Sequence, residues 1–142
     1  MAEIIQLTSA DERALSEVNV LLKQLSERIP PCTLELLKDI VEDKNLELWV
    51  ALENEKIVGM GELVIVLKPD GTIAQIEDVV VDEGQRGKGL GKAISEKLIE
   101  RAQERGARAI HLSSNPLRVA ANELYKKIGF ELHGTNSYRM KL

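Results

Sequence analysis

Apolar residues recur along this chain with two periods, and the switch between them marks out its elements. Glu3 to Leu7 alternates weakly between polar and apolar positions, the period of a short strand. Ser9 and Glu12 have the spacing of a capping box. Leu15, Val18, Leu21, Leu22 and Leu25 follow at helical spacing, so a helix is predicted from about Ala10 to Ser26. Pro30 and Pro31 break the chain. Thr33 then stands where a cap should, ahead of Leu37, Ile40 and Val41, and a second helix should end near Asn45.

The period shortens again over Leu46 to Leu52, Lys56 to Leu67 and Thr72 to Val81. The first two runs are separated by Glu53-Asn54-Glu55 and the last two by Pro69-Asp70-Gly71, both turn signals. These runs predict three strands in an antiparallel meander. A third helix is expected from about Lys88 to Arg105. It buries Leu90, Ala93, Ile94, Leu98 and Ala102 and stops at Gly106. Arg108 to Ser113 reads as a strand, parallel to its predecessor because a helix connects them. Asn115 and Pro116 form a cap and first-turn pair for a fourth helix, which uses Leu117, Ala120, Ala121, Leu124, Tyr125 and Ile128 and ends at Gly129. Phe130 to His133 and Asn136 to Lys141 read as a terminal hairpin across Gly134 and Thr135. The sum is an α/β chain of one domain, residues 1–142, with a mixed, mostly antiparallel sheet of about seven strands and four helices.

Composition narrows the chemistry. A net charge of −4 argues against a nucleic-acid binder, which would show a basic face. Cys32 is the single cysteine, and His111 and His133 are the only histidines, so neither a disulfide framework nor a metal site is expected. Residues 1–10 lack a basic start and a long apolar run, and no run reaches membrane-spanning length; the expected setting is cytoplasmic.

The informative stretch is Glu77 to Lys92. An apolar strand runs into a basic loop with Gly87, Gly89 and Gly91, and then into a helix. Glycines let backbone N–H groups approach a ligand, and the first turn of a helix has unpaired N–H groups and a dipole that favours an anion. With Arg86, Lys88 and Lys92 beside them, the expectation is a pyrophosphate cradle. A P-loop fails because Leu90, not a lysine, follows Gly89. A dinucleotide fingerprint fails on glycine spacing. Arg86, Gly89 and Gly91 fit Arg-x-x-Gly-x-Gly, which resembles the acetyl-CoA loop of the GNAT superfamily of N-acetyltransferases. The segment Asn122-Glu-Leu-Tyr-Lys-Lys-Ile-Gly-Phe130 resembles that superfamily's second signature, and the element order matches its fold over nearly the whole chain.

That resemblance implies acetyl transfer from acetyl-CoA to a primary amine of a small molecule, by direct attack through a tetrahedral intermediate. It implies that the backbone of Val79, Val80 and Val81 lines the pantetheine arm. Arg86, Gly87, Lys88, Gly89, Leu90, Gly91 and Lys92 would hold the pyrophosphate. Asn115 and Asn122 would face the arm, and Tyr125 would protonate the leaving thiolate. Glu77, followed by Asp78 and three valines, resembles the glucosamine-6-phosphate N-acetyltransferase branch. Glu77 is the candidate to take the amine proton, although some members of the superfamily need no dedicated base. Glu77 and Asp78 are adjacent on a strand and should face opposite sides of the sheet. Asp78, Arg118 and Tyr138 would border the acceptor, with Arg118 suited to an anion. A lysine or chain N-terminus of a protein, or an amino-sugar phosphate, is an alternative acceptor. A CoA-binding sensor without turnover is an alternative of another class. A homodimer through the terminal strands is the expected assembly.

Overall fold

The computed structural model describes residues 2–142. Five strands form one sheet in the order β1 (Glu3–Gln6), β2 (Leu46–Glu53), β3 (Lys56–Lys68), β4 (Gly71–Val81), β5 (Ile110–Leu112). All neighbours are antiparallel except β4 and β5, which are parallel. The helices are α1 (Glu12–Leu25), α2 (Leu34–Glu42), α3 (Leu90–Glu104) and α4 (Val119–Lys127). Among the described residues, no helix is long and apolar enough to cross a membrane.

The sheet is covered on both faces, as its alternating strands require. Ile94, Leu98 and Ala102 of α3 pack on Leu63, Ile65, Ala74, Ile76 and Val79. On the other face Val18 and Leu21 of α1 and Leu37 of α2 pack on Leu48, Val50, Met60 and Val80. Burying one such leucine stabilises the fold by about 2 kcal/mol. Gly61 sets how closely α3 can lie: a Cβ there would come within 2.9 Å of Ile94 and Leu98 side-chain carbons.

One polar joint ties sheet to helix. Glu47 is 3% exposed on β2. Its carboxylate accepts from Arg101 Nε at 2.8 Å, Arg105 Nη1 at 2.7 Å and Trp49 Nε1 at 2.9 Å. Burial alone would raise its proton affinity. The bonds from Arg101, Trp49 and Arg105 overcome that and pull the pKa down to about 2.

The meander, the parallel crossover and the four helices agree with the sequence. The boundaries differ where side-chain chemistry chose another residue. Asp11, not Ser9, caps α1, accepting from Ala14 N at 2.8 Å. The fourth helix starts at Val119, because Asn115 spends its side chain on a turn, accepting from Leu117 N at 2.9 Å.

The sheet has five strands rather than about seven. Residues 130–142 form no ladder. Phe130 is held by its N–H to Tyr125 O at 2.9 Å, and the His133 ring lies 5.4 Å from that of His111 on β5. Beyond this, Tyr138, Met140 and Leu142 are exposed although their alternation is strand-like. The neighbouring strand β5 is only three residues long, too short to template a hairpin.

Candidate active site

The site forms where β4 outruns β5. Their last paired residues are Ile76 and Leu112, so the chain from Glu77 to Val81 has no partner on that side. Asp82 N–H donates to Val58 O at 2.8 Å. By antiparallel alternation Val80 also faces β3, while the backbone groups of Val79 and Val81 face the gap. Two arginines confirm that direction: Arg118 Nη2 donates to Val79 O at 3.2 Å and Arg86 Nε to Val81 O at 3.0 Å. The N–H groups of Val79 and Val81 therefore point into the same opening.

A cavity of about 570 Å³ occupies that opening. Val79, Val80 and Val81 form one wall, and Arg118, Leu124 and Tyr125 form the opposite one. The loop residues Arg86, Gly87, Gly89, Leu90, Gly91 and Lys92 close one end, and Gln24 and Leu25 of α1 reach its rim. Gly89 is the N-cap of α3, at φ 81° in the left-handed region, and it supplies no side-chain cap. Gly87 has the same φ, and a Cβ on either would project into open space. No acidic residue stands in the first turn of α3. The N-terminal N–H groups thus face the loop end of the cavity with nothing to neutralise their partial positive charge.

At the other end, Tyr125 is 6% exposed, its ring edge-on to Phe130 at 5.9 Å. Burial pushes its phenol above the ordinary range, and the charge of neighbouring Arg118 pulls it partly back. The hydroxyl is therefore protonated at neutral pH.

The acetyltransferase (GNAT) family profile matches residues 14–130. The chain belongs to the GNAT family of acetyltransferases. A Trypanosoma brucei acetyltransferase of known structure is 31% identical, with a TM-score of 0.82 over the whole of both chains. The glucosamine-6-phosphate N-acetyltransferase of Arabidopsis thaliana is 25% identical, with a TM-score of 0.78 over 99% of this chain and 98% of that one. An uncharacterised N-acetyltransferase of Methanocaldococcus jannaschii is 41% identical over 59 residues, 42% of this chain and 26% of its own. The chain spans about a quarter to a half of the length of the curated relatives it matches.

Within this GNAT domain, several residues singled out from the sequence lie outside the cavity. Lys88 donates to Gln85 Oε1 at 2.8 Å on the surface. Asn115 holds its turn. Asn122 Nδ2 donates to the carbonyls of Asn115 and Arg118, both at 2.9 Å, and so braces the loop before α4 rather than lining the opening. Tyr138 is 88% exposed. Val80 contributes a side chain to the wall, while its backbone is engaged with β3.

Glu77 and Asp78 do not alternate across the sheet as a regular strand would have them. Asp78 has φ 52°, and the register between β3 and β4 slips there, from Met60↔Val80 to Glu62↔Glu77. This is a bulge: an extra residue breaks the two-residue period and re-aims the side chains around it. Glu62 on β3, which sequence reasoning missed, stands directly across from Glu77 on the face covered by α1 and α2. Burial, then the charges of Asp78 and Glu77, push the Glu62 pKa up to about 7. Burial and then Asp78 raise Glu77, and desolvation of its carboxyl raises Asp78. Glu62 also holds the thiol of Cys32, in the loop between α1 and α2, above its ordinary range, second to burial. Among the described residues none of the three carboxylates has an ion-pair or hydrogen-bond partner. A lone glutamate in an apolar strand (Gly61-Glu62-Leu63) is the only trace of this in the sequence.

Proposed function

We propose that this chain transfers an acetyl group from acetyl-CoA to the primary amine of a small, positively charged molecule. The observation that supports this best is the shape of the opening beside β4. It carries an uncapped helix N-terminus at one end, a buried phenol at the other, and strand backbone without a partner strand between them.

The α3 N-terminus, Gly87, Gly89, Arg86 and Lys92 would hold the pyrophosphate, by backbone N–H groups and by charge. Arg86 now rests on Val81 O and would exchange that bond for a phosphate. The backbone of Val79 and Val81 would meet the pantetheine amides, and an N–H there would donate to the carbonyl oxygen that becomes the oxyanion. The amine nitrogen attacks the carbonyl carbon from the side of the bulge. A carboxylate there takes its proton. Glu62 suits this best, since burial and then the charges of Asp78 and Glu77 bring its affinity near working pH. The C–S bond then breaks. A free thiol has a pKa of about 8.5, so the thiolate leaves readily, and Tyr125 supplies the proton.

The acceptor class follows from charge. Three carboxylates without cations beside them attract a protonated amine and repel a phosphate. The glucosamine-6-phosphate enzyme is thus a relative in fold, and its substrate is the less favoured acceptor for this chain.

Calorimetric titration with acetyl-CoA tests the reading. Wild type is expected to bind, and Gly89→Glu to weaken binding by about 100-fold, because a carboxylate would occupy the anion's place and oppose the dipole. Equal affinity in the two proteins would remove the loop from the site. Thiol release on diamines and on amino-sugar phosphates would then separate the acceptors.

A further inference from the structure

Arg118 stands where a residue selecting the acceptor would not. It immediately precedes α4, and its backbone is fixed on both sides. Its N–H donates to Asn115 O at 2.9 Å, and its own carbonyl accepts from Asn122 Nδ2 at 2.9 Å. From there the guanidinium reaches across the cavity to the Val79 carbonyl. That carbonyl lies beyond the last β4–β5 pair, so the arginine satisfies a group the sheet has abandoned. Arg118 and Tyr125 line the same cavity, and the charge of Arg118 lowers the proton affinity of the phenol that burial raises.

The charge of Arg118 is the telling feature. Arg101 of α3 and Arg105, the residue that caps its C-terminus, are both partly buried and share the Glu47 carboxylate. Arg118 is also partly buried, yet among the described residues it forms no ion pair. A half-desolvated cation on a cavity wall, bonded to one neutral carbonyl oxygen, is suited to a negative charge that arrives with the ligand or develops in the reaction. Arg86 and Lys92 lie at the loop end of the cavity. Arg118 is the cation at the phenol end.

We propose that Arg118 positions the leaving-group end of the reaction, holding the Tyr125 hydroxyl and the Val79 backbone in one frame and supplying the positive charge under which the departing thiolate takes its proton. This rests on the acetyl-transfer reading above. As the N–C bond forms and the C–S bond breaks, the electron pair of that bond goes to sulfur. Sulfur receives the proton of Tyr125. The phenolate is held against Arg118 until a proton returns from water. Arg118 thus acts through Tyr125 and Val79, and its side chain serves the donor end of the site rather than an acceptor anion.

The chain has only two tyrosines, which makes the idea measurable without turnover. Tyr138 is exposed and outside the cavity, so Tyr138→Phe leaves Tyr125 as the single phenol. Its ionisation can then be followed by phenolate absorbance. In that background Arg118→Met is expected to move the Tyr125 midpoint to higher pH, and Arg118→Lys to restore part of the difference. The alkaline limb of kcat should move the same way. For Arg118→Met, kcat should fall about tenfold while acetyl-CoA affinity changes by less than about threefold. A Tyr125 midpoint that stays in place in both variants, with the circular dichroism of wild type, overturns the proposal. A wild type that binds acetyl-CoA but releases no thiol with any amine would remove the transfer reading; the phenol titration would still decide whether Arg118 governs Tyr125.

Discussion

Glu47 and Glu62 lie on neighbouring strands, one register step apart across the β2–β3 ladder, since Glu47 faces Leu63 and Leu48 faces Glu62. They are the same residue in the same sheet, and their pKa values stand on opposite sides of the ordinary one, at about 2 and about 7. The difference is the face. Glu47 points to α3, where Arg101 and the capping residue Arg105 come within bonding distance, and the Trp49 N–H of its own strand adds a third bond. Glu62 points to the α1–α2 side, where a bulge brings two more carboxylates and the loop between the helices brings a thiol. Burial acts on both in the same direction. Partners decide the outcome. One carboxylate therefore joins the fold together, and the other is held in a state the fold does not favour, which is where proton-transfer chemistry is expected.

The largest effect should come from breaking the satisfied member. Glu47→Gln leaves two arginine side chains facing a neutral amide, and should lower unfolding free energy by about 3–4 kcal/mol at pH 7 in denaturant titrations. The Glu47 carboxyl binds a proton less tightly folded than unfolded. Its contribution is therefore complete above the unfolded value of 4.5 and is lost as pH falls towards 2. A wild-type stability flat across that window would place the joint's energy elsewhere.

Glu62→Gln should do something different. The rate of amine acetylation is expected to fall by about 100-fold, and the acid limb near pH 7 to disappear from the pH–rate profile. Glu77→Gln separates the two candidates: a limb that vanishes with Glu77 and survives without Glu62 would return the base role to Glu77.

The smallest effect carries the opposite sign to that at Glu47. Glu62 binds its proton more tightly folded than unfolded, so ionising it costs stability progressively from about pH 4.5 through about pH 7. Glu62→Gln should therefore be more stable than wild type at pH 8, by about 1–2 kcal/mol, with the gain shrinking towards pH 5. A variant less stable at pH 8 would show that Glu62 has a partner after all.

Local features were legible in the sequence, and features made by two distant segments were not. The loop from Arg86 to Lys92 writes its conformation in its glycines, and the α3 stripe follows its spacing at Ile94, Leu98 and Ala102, although Ala93 is exposed and Ser95 is buried instead. The order of the meander was equally plain from its two turns. Nothing in Glu77-Asp78-Val79 announces that Asp78 takes a left-handed φ. The bulge exists because β3 and β4 must satisfy packing against α3 on one side of it and α1 on the other. Glu62 was invisible for a related reason: its isolation depends on which helices cover its face. The terminal strands failed in the other direction. Tyr138, Met140 and Leu142 alternate well, but alternation needs an edge to pair with, and β5 offers three residues.

The joint at Glu47 has a spectroscopic consequence. Trp49 is the only tryptophan in the chain; its indole N–H is bonded to Glu47, and the Lys97 ammonium stands 5.4 Å from its ring centre. Intrinsic fluorescence therefore reads the seam between β2 and α3, on the far side of the sheet from the bulge. An emission trace that stays still while acetyl-CoA or an amine is added says little about the reacting end of the molecule. A trace that shifts under acid reports the loss of that seam.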